Sequence, residues 1–543
     1  MKYRLLLAWV SMLCFGVAHA QDITIRFDGN KVKVLQDAKD SVKVEVDGAH
    51  VYVVSTFESH TLEVLLTGKS EDGQLVLKSE GRAKIRMKGL NLTSQEGAPL
   101  WLKNRKRVEI TAEKGTENTL KVAACNDTAN HKAAVIWAKD KIRLSGKGVL
   151  NVMATGDGCK GINCKDNITI EDLTLNVETR GNNLGVKENA FGGFGGLFGR
   201  GFPEMNDSTM QGGFGGLFGG DFGRFGERND STRQGRGFGG PFGGPRGDFA
   251  GPPQMGGFGG PFGGYFPEMN DSTMQGGFGG GPFAGFGGFG ERSDTTDLGY
   301  TIPAGKNKYV GSTKGIKAQG KVMINSGRVT VVTHAAGAEG IEGKLGIELN
   351  GGEVNVRAVD DAINSGGRIY FNGANVVARS TNNDAVDSNY GGGFGMFFGG
   401  GGFGQQNQQD GAAIIITGGT VYAWSEVGMP EEGLDCDFAP IEITGGKVFT
   451  VGAGMGDMPS VPTNETAKQP TALIIGINIQ KDEPVYIFDA QGKQIDAVTV
   501  PFSLGRSSSL ITTPAFKVGE TYTVKTKNNE KAFSLKENFT VVR

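Results

Sequence analysis

The sequence predicts an all-β chain wound as a right-handed parallel β-helix, a solenoid with an N-terminal β cap, a C-terminal β-hairpin region and disordered Gly/Phe-rich inserts. Three observations predict it. A strand–bend–strand unit recurs at coil-sized spacing, a polar–apolar–polar element opens each unit, and the 91 glycines of the 543 residues divide between tight bends and two low-complexity tracts.

Five segments align on one bend: 322–329 (VMINSGRV), 347–354 (IELNGGEV), 369–376 (IYFNGANV), 414–421 (IIITGGTV) and 441–448 (IEITGGKV). The first three start 25 and then 22 residues apart, about one β-helix coil, and such a unit buries its apolar side only by stacking on its neighbours. The alignment predicts two inward ladders, Val329, Val354, Val376, Val421 and Val448, and Ile324, Leu349, Phe371, Ile416 and Ile443. Ile142-Arg-Leu-Ser-Gly-Lys-Gly-Val and Ile170-Glu-Asp-Leu-Thr-Leu continue the pattern upstream more loosely.

The first part of the helix therefore covers 76–188 and the second 301–455. Alternating strands over 21–75 read as the cap that an exposed terminal coil needs, since an open edge templates aggregation. After Pro470 the pattern changes, and 470–543 reads as the C-terminal β region. Residues 189–300, dominated by Gly and Phe and carrying FPEMNDSTMQGGFGG at both Phe202 and Phe266, read as a disordered insert, as does the Gly/Phe loop at 391–410.

Lys2, Arg4 and the apolar run Leu5 to Val17, followed by Ala18-His19-Ala20, read as a signal peptide over 1–20. The protein is then exported, to the extracellular space or cell surface, with the periplasm as the other compartment. No later stretch is apolar for the ~18 residues of a transmembrane helix. Net charge −2 argues against a nucleic-acid partner. No His-Glu-x-x-His, Gly-x-Ser-x-Gly or phosphate loop is present, so no residue stands out as catalytic. Cys159 falls at the apolar position of its coil opening and reads as a buried sulfur, with Cys164 and Cys125 as alternative disulfide partners.

The coil openings carry the chemistry. They read Glu339-Gly-Ile-Glu342, Asp361-Ala-Ile-Asn364, Asp384-Ala-Val-Asp387 and Glu432-Gly-Leu-Asp435, with Lys314-Gly-Ile-Lys317 and Asp157-Gly-Cys-Lys160 as charge-altered copies. The apolar residue belongs to the core, and its neighbours form two solvent-facing columns: Glu339, Asp361, Asp384 and Glu432 beside Glu342, Asn364, Asp387 and Asp435, with Asp360, Glu431 and Asp437 adjacent. Carboxylates ~5 Å apart repel even in water. A bound cation relieves this, and an all-oxygen set selects Ca²⁺. The expected metal residues are therefore Glu339, Glu342, Asp360, Asp361, Asp384, Asp387, Glu432 and Asp435. The same alignment places Tyr422, Trp424 and Phe449 near Arg357 and Arg379 on one outer face, where rings and guanidinium groups suit a polysaccharide groove.

Several of these segments resemble a known family. Residues 108–120 (VEITAEKGTENTL), 142–152 (IRLSGKGVLNV) and the Asp-Ala-Ile-Asn and Glu-Gly-Leu-Asp openings look like signatures of the bacterial secreted carbohydrate-binding domain-containing β-helix family, over roughly 75–455 without the inserts. That family is similar to pectate lyases in fold. The resemblance implies binding of calcium and of plant-type, including acidic, polysaccharides without established catalysis, with the acidic columns as calcium positions. The leading reading is a secreted, calcium-dependent, non-catalytic polysaccharide-binding protein. A lyase using Arg357, Arg379 or Lys344 as base is the alternative, and a surface adhesin acting through the Gly/Phe loops is a third.

Overall fold

The structure is a computed structural model that describes residues 22–37, 41–125, 133–183, 313–390, 412–436, 439–457 and 459–543. The expected signal peptide and both Gly/Phe tracts lie outside the described residues.

Each coil is three short strands, and each strand pairs in parallel with its counterpart in the next coil. The opening face runs Lys160–Cys164, Ile316–Ala318, Ile341–Gly343, Ile363–Ser365, Val386–Ser388 and Leu434–Asp435. The middle face runs Ile168–Glu171, Lys321–Ile324, Gly346–Leu349, Ile369–Phe371, Ile414–Ile416 and Ile441–Ile443. The closing face runs Leu173–Thr179, Gly327–Thr333, Glu353–Ala358, Asn375–Ser380, Thr420–Ser425 and Lys447–Val451.

Alternation along these strands sends every second side chain inward. Val329, Val354, Val376, Val421 and Val448 pair in register and are buried, as are Ile324, Leu349, Phe371, Ile416 and Ile443. Burying each such side chain contributes roughly 1.5–3 kcal/mol, so the ladder is the main source of cohesion between coils. The small residue inside each opening has a steric cause. A Cβ added at Gly340 would lie 2.3 Å from Val356 Cγ1 and 2.4 Å from Ala362 O, and one at Gly315 would lie 2.2 Å from Val331 Cγ1. Only Gly, or Ala where the backbone yields, lets the opening strand close on the valines of the closing face.

The bend between middle and closing faces explains the recurring Asn. Asn372 Nδ2 donates to Asn350 Oδ1, Asn350 Nδ2 to Asn325 Oδ1 and Asn325 Nδ2 to Glu171 Oε1, each at 2.8 Å. The exposed bends of four coils are thereby linked through side chains.

Parallel stacking begins earlier than a cap over 21–75 implies. Ile23–Asp28 pairs in parallel with Leu62–Ser70, and His50–Ser55 with Gln74–Ser79, because Ile23, Ile25 and Phe27 already alternate into the core. Only Lys31–Gln36 and Val42–Asp47 are antiparallel additions at this end, and Lys31 and Lys33 place charge on the outer edge. At the other end Leu504–Thr512 pairs antiparallel with Lys447–Val451 and with Thr471–Ile479. A four-stranded antiparallel sheet follows, built from the hairpins Pro484–Asp489/Gln494–Thr499 and Thr521–Lys525/Glu530–Ser534.

Cys125 and Cys159 form a disulfide, one of the two pairings the sequence left open. Cys164 and Cys436 are buried and form no disulfide among the described residues, and burial pushes the Cys164 thiol up to about 12, which makes it inert as a nucleophile at neutral pH. The disulfide spans 34 residues of chain. Replacing both partners by Ala is expected to cost roughly 2–4 kcal/mol through the freer unfolded chain, read as a lower denaturant midpoint with unchanged far-UV circular dichroism.

Candidate functional site

The opening face carries one continuous outward ladder. Its in-register residues are Tyr52, Val76, Trp101, Trp137, Asn163, Lys317, Glu342, Asn364, Asp387 and Asp435. A second column precedes it, in which Gly161 N donates to Lys314 O, Gly315 N to Glu339 O and Gly340 N to Asp361 O. The structure thus brings the two acidic columns together in the order the alignment assigns. It differs in their exposure. Lys314, Lys317, Glu342, Asp361, Asp384 and Glu431 are buried rather than solvent-facing, and this changes their chemistry.

At the N-terminal end of the columns the charges are matched. Lys314 Nζ lies 3.0 Å from Glu339 Oε2 and 2.6 Å from Glu342 Oε2. Lys344 Nζ sits 2.6 Å from Glu342 Oε1, and Lys317 Nζ 3.4 Å from Oε2. Burial alone would raise the Glu342 carboxyl, but the three ammonium groups outweigh it and hold the carboxyl down to about 2. Glu339, with burial and the neighbouring Glu342 against a single lysine, is shifted upward. These ammonium groups occupy the positions a divalent ion would need, so Glu339 and Glu342 drop out of the expected metal set. The cause was legible in Lys314-Gly-Ile-Lys317, one coil upstream and in register.

Towards the C-terminal end the acidic side chains crowd one another. Burial, then the negative charges of Asp360, Asp387 and Glu339, push the Asp361 carboxyl well above the usual range. Burial, then Asp435, Glu431, Asp361 and Glu432, do the same to Asp384. Amides sit between these carboxylates. Asn364 Nδ2 donates to Asp361 Oδ2 (2.7 Å) and Asp387 Oδ2 (3.1 Å), and Asn383 Nδ2 donates to Asp360 Oδ1 and Asp361 Oδ1, both at 2.8 Å. Glu432 Oε2 accepts from Ser460 N at 2.6 Å, and Asp435 Oδ1 from Ser460 Oγ at 3.3 Å. Among the described residues no three acidic, His or Cys side chains converge into a formed metal-binding group. The acidic side chains offer oxygen donors alone, and the Asn364 and Asn383 amides each hydrogen-bond to two of their carboxylates.

The expected sugar-binding face needs a larger correction. Arg357 and Arg379 are in register, and Arg379 is in register with Trp424, as the alignment requires. However, Trp424 is 5% and Phe449 1% exposed, because both pack with Ile474, Val485 and Phe502 of the C-terminal region. Tyr422 stacks on Trp424 with centroids 5.6 Å apart, under the same cover. Arg379 Nε is held 2.6 Å from Glu426 Oε1, with its guanidinium 5.4 Å from the centre of the Phe502 ring. Of the five residues, only Arg357 remains exposed. Outward aromatics on the last coils serve as the docking face for the C-terminal strands.

The aromatic part of the opening face was missed. Trp101 and Trp137 meet edge-to-face with centroids 6.4 Å apart, and Lys103 Nζ lies 3.9 Å from the centre of the Trp101 ring. The signal was present in Leu100-Trp-Leu-Lys-Asn and Ile136-Trp-Ala-Lys-Asp, which align with Ile341-Glu-Gly-Lys. An acidic–small doublet does not precede them, so they do not read as openings. The outward ladder thus passes from aromatic, through a lysine–glutamate cluster, to acidic.

The comparisons with known proteins bear on this ladder. Residues 47–191 and 288–385 match the model of the carbohydrate-binding domain-containing protein family. The matched stretches include the coils that carry Trp101, Trp137, Lys317, Glu342, Asp361 and Asp384, and leave 192–287 unmatched between them. The resemblance read from the coil openings agrees with this match. A solved structure, that of the polysaccharide lyase-like protein from C. thermocellum in a gadolinium derivative, is similar at 17% identity. The similarity covers 66% of this chain and 90% of that one, with a TM-score of 0.36. No curated protein shows significant similarity to the chain.

Proposed function

We propose that the chain is an exported, calcium-dependent carbohydrate-binding protein, without catalysis of its own, that takes an acidic polysaccharide along the opening face of a right-handed parallel β-helix. The family match supports the carbohydrate. The near-universal right-handedness of parallel β crossovers supports the hand. The single observation that carries the site is the pair of carboxyls, Asp361 and Asp384, both buried and raised first by that burial and then by the negative charge around them. Such a cluster is stabilised by a cation, and its oxygens suit Ca²⁺. Asp360, Asp361, Asp384, Asp387, Glu432 and Asp435 would hold it, with the Asn364 and Asn383 amides turning their oxygens inward. A bound Ca²⁺ supplies positive charge that a uronate carboxylate can share.

Electrophoresis through gels containing polygalacturonate tests this reading. The protein is expected to be retarded in millimolar calcium and to run freely with a chelator. Equal mobility in gels with and without the polymer, with calcium present, would contradict it. Release of unsaturated product, seen as rising ultraviolet absorbance, would favour the lyase alternative.

A further inference from the structure

At the bend between the opening and middle faces lies a cavity of about 190 Å³ lined by Lys321, Leu345, Glu348, Arg368, Tyr370 and Tyr390, with Gly346 and Gly367 in its wall. It contains none of the acidic-column carboxylates. We propose that this cavity is a second, calcium-independent subsite that binds one carboxylate-bearing sugar ring, with Arg368 as the group that reads the carboxylate.

Charge, size and preorganisation all point this way. Lys321 Nζ is paired with Glu348 Oε1 at 2.8 Å, so the two cations and one carboxylate of the cavity leave one net positive charge, on Arg368. The Arg368 guanidinium lies 4.6 Å from the centre of the Tyr390 ring, and its Nε donates to Ala412 O at 3.1 Å. Among the described residues its two terminal nitrogens have neither hydrogen bond nor ion pair. A guanidinium fixed at Nε and braced by a ring presents its free edge as a two-donor fork, the geometry that matches a carboxylate.

The rest of the wall suits a sugar. Tyr370 occupies the outward position in register with Glu348, placing a phenol beside a carboxylate that can accept from sugar hydroxyls. Leu345, 67% exposed, gives the rim an apolar edge. The volume lies below the ~300 Å³ at which pockets for drug-sized ligands begin, which limits the occupant to about one ring.

The proposal rests on the reading of the chain as a binder of acidic glycans, but its test is separable. With the full chain in chelator, a galacturonate trisaccharide is titrated and followed by calorimetry, with a neutral galactose trisaccharide as control. The acidic trisaccharide is expected to bind and the neutral one to bind at least tenfold more weakly. Arg368→Ala should weaken binding of the acidic trisaccharide by roughly ten- to a hundredfold, the range for a lost charged hydrogen-bonding group. Arg368→Lys, which keeps the charge and loses the fork, should fall between, and guards against a folding defect in the alanine variant.

Absence of acidic trisaccharide binding in chelator overturns the subsite, as does undiminished affinity in Arg368→Ala. Either result leaves calcium-dependent retention on the polymer as a separate question. Loss of that retention, with chelator-resistant trisaccharide binding intact, would instead sink only the calcium reading.

Discussion

Replacing Glu342 by Gln is expected to destabilise the protein by about 3–5 kcal/mol, the cost of breaking a buried ion pair from one side. Glu342 and Lys317 are each 1% exposed, and Glu342 is the acceptor for the ammonium groups of Lys314, Lys317 and Lys344. Glutamine keeps the shape and removes the charge, so those lysines stay buried with less compensation. The effect belongs to the unmatched charge, not to the volume. The double variant Lys317→Met with Glu342→Leu should therefore recover much of the loss. A denaturant midpoint for Glu342→Gln within error of the unaltered protein would contradict the ion-pair account.

The same cluster sets a pH signature. The folded Glu342 carboxyl is depressed to about 2 against an unfolded value near 4.3, so its contribution is complete above pH ~4.3 and is lost as pH falls towards about 2. Asp361 and Asp384 are raised, so they act with the opposite sign: their contribution is present below the unfolded value near 3.9 and is lost as pH rises through their folded values. Calcium-free protein is therefore expected to gain stability as pH is lowered from neutrality and to lose it again below pH ~4. Saturating calcium should remove the decline on the neutral side, because the ion supplies the compensation that the proton gives at low pH. The Glu342→Gln variant should lack the decline below pH 4.

Phe449→Ala is expected to cost about 3–5 kcal/mol and to leave polysaccharide binding per folded molecule unchanged. Phe449 is 1% exposed and packs with Trp424, Ile474, Ile511 and other residues of the C-terminal region. Its side chain leaves the last coil outwards, and the C-terminal strands cover it. Truncation leaves a cavity at a junction that closes the solenoid, where the backbone of Phe449 also pairs with Ile511. Denaturant unfolding gives the first number and gel retardation the second. A variant as stable as the unaltered protein but weaker in glycan binding would restore Tyr422, Trp424 and Phe449 as a sugar-binding face.

These cases show which features a single sequence carries. Inward ladders such as Val329 to Val448 were legible because one face of a strand must be apolar at every coil, and a period in sequence then becomes a register in space. The order of the acidic columns followed from the same register. Exposure did not. A polar residue at an outward position looks alike whether it meets water, as Arg357 does, or a lysine from the coil before, as Glu342 does. Outward aromatics are equally ambiguous, since Trp424 and Phe449 have the pattern of a groove and the burial of a domain contact. The Arg368 cavity has no repeat signature, because it is formed by residues from four successive coils at a bend.

The most direct measurement is a calorimetric titration of polygalacturonate into the protein in calcium, repeated with the double variant Asp387→Asn, Asp435→Asn. Both side chains are partly exposed and neither belongs to the lysine cluster or the inward core, so the variant is expected to fold. Binding at least tenfold weaker in the variant, and equally weak in the unaltered protein under chelation, is the predicted result. Affinity that is the same in all three conditions would contradict a calcium-dependent glycan site on the opening face.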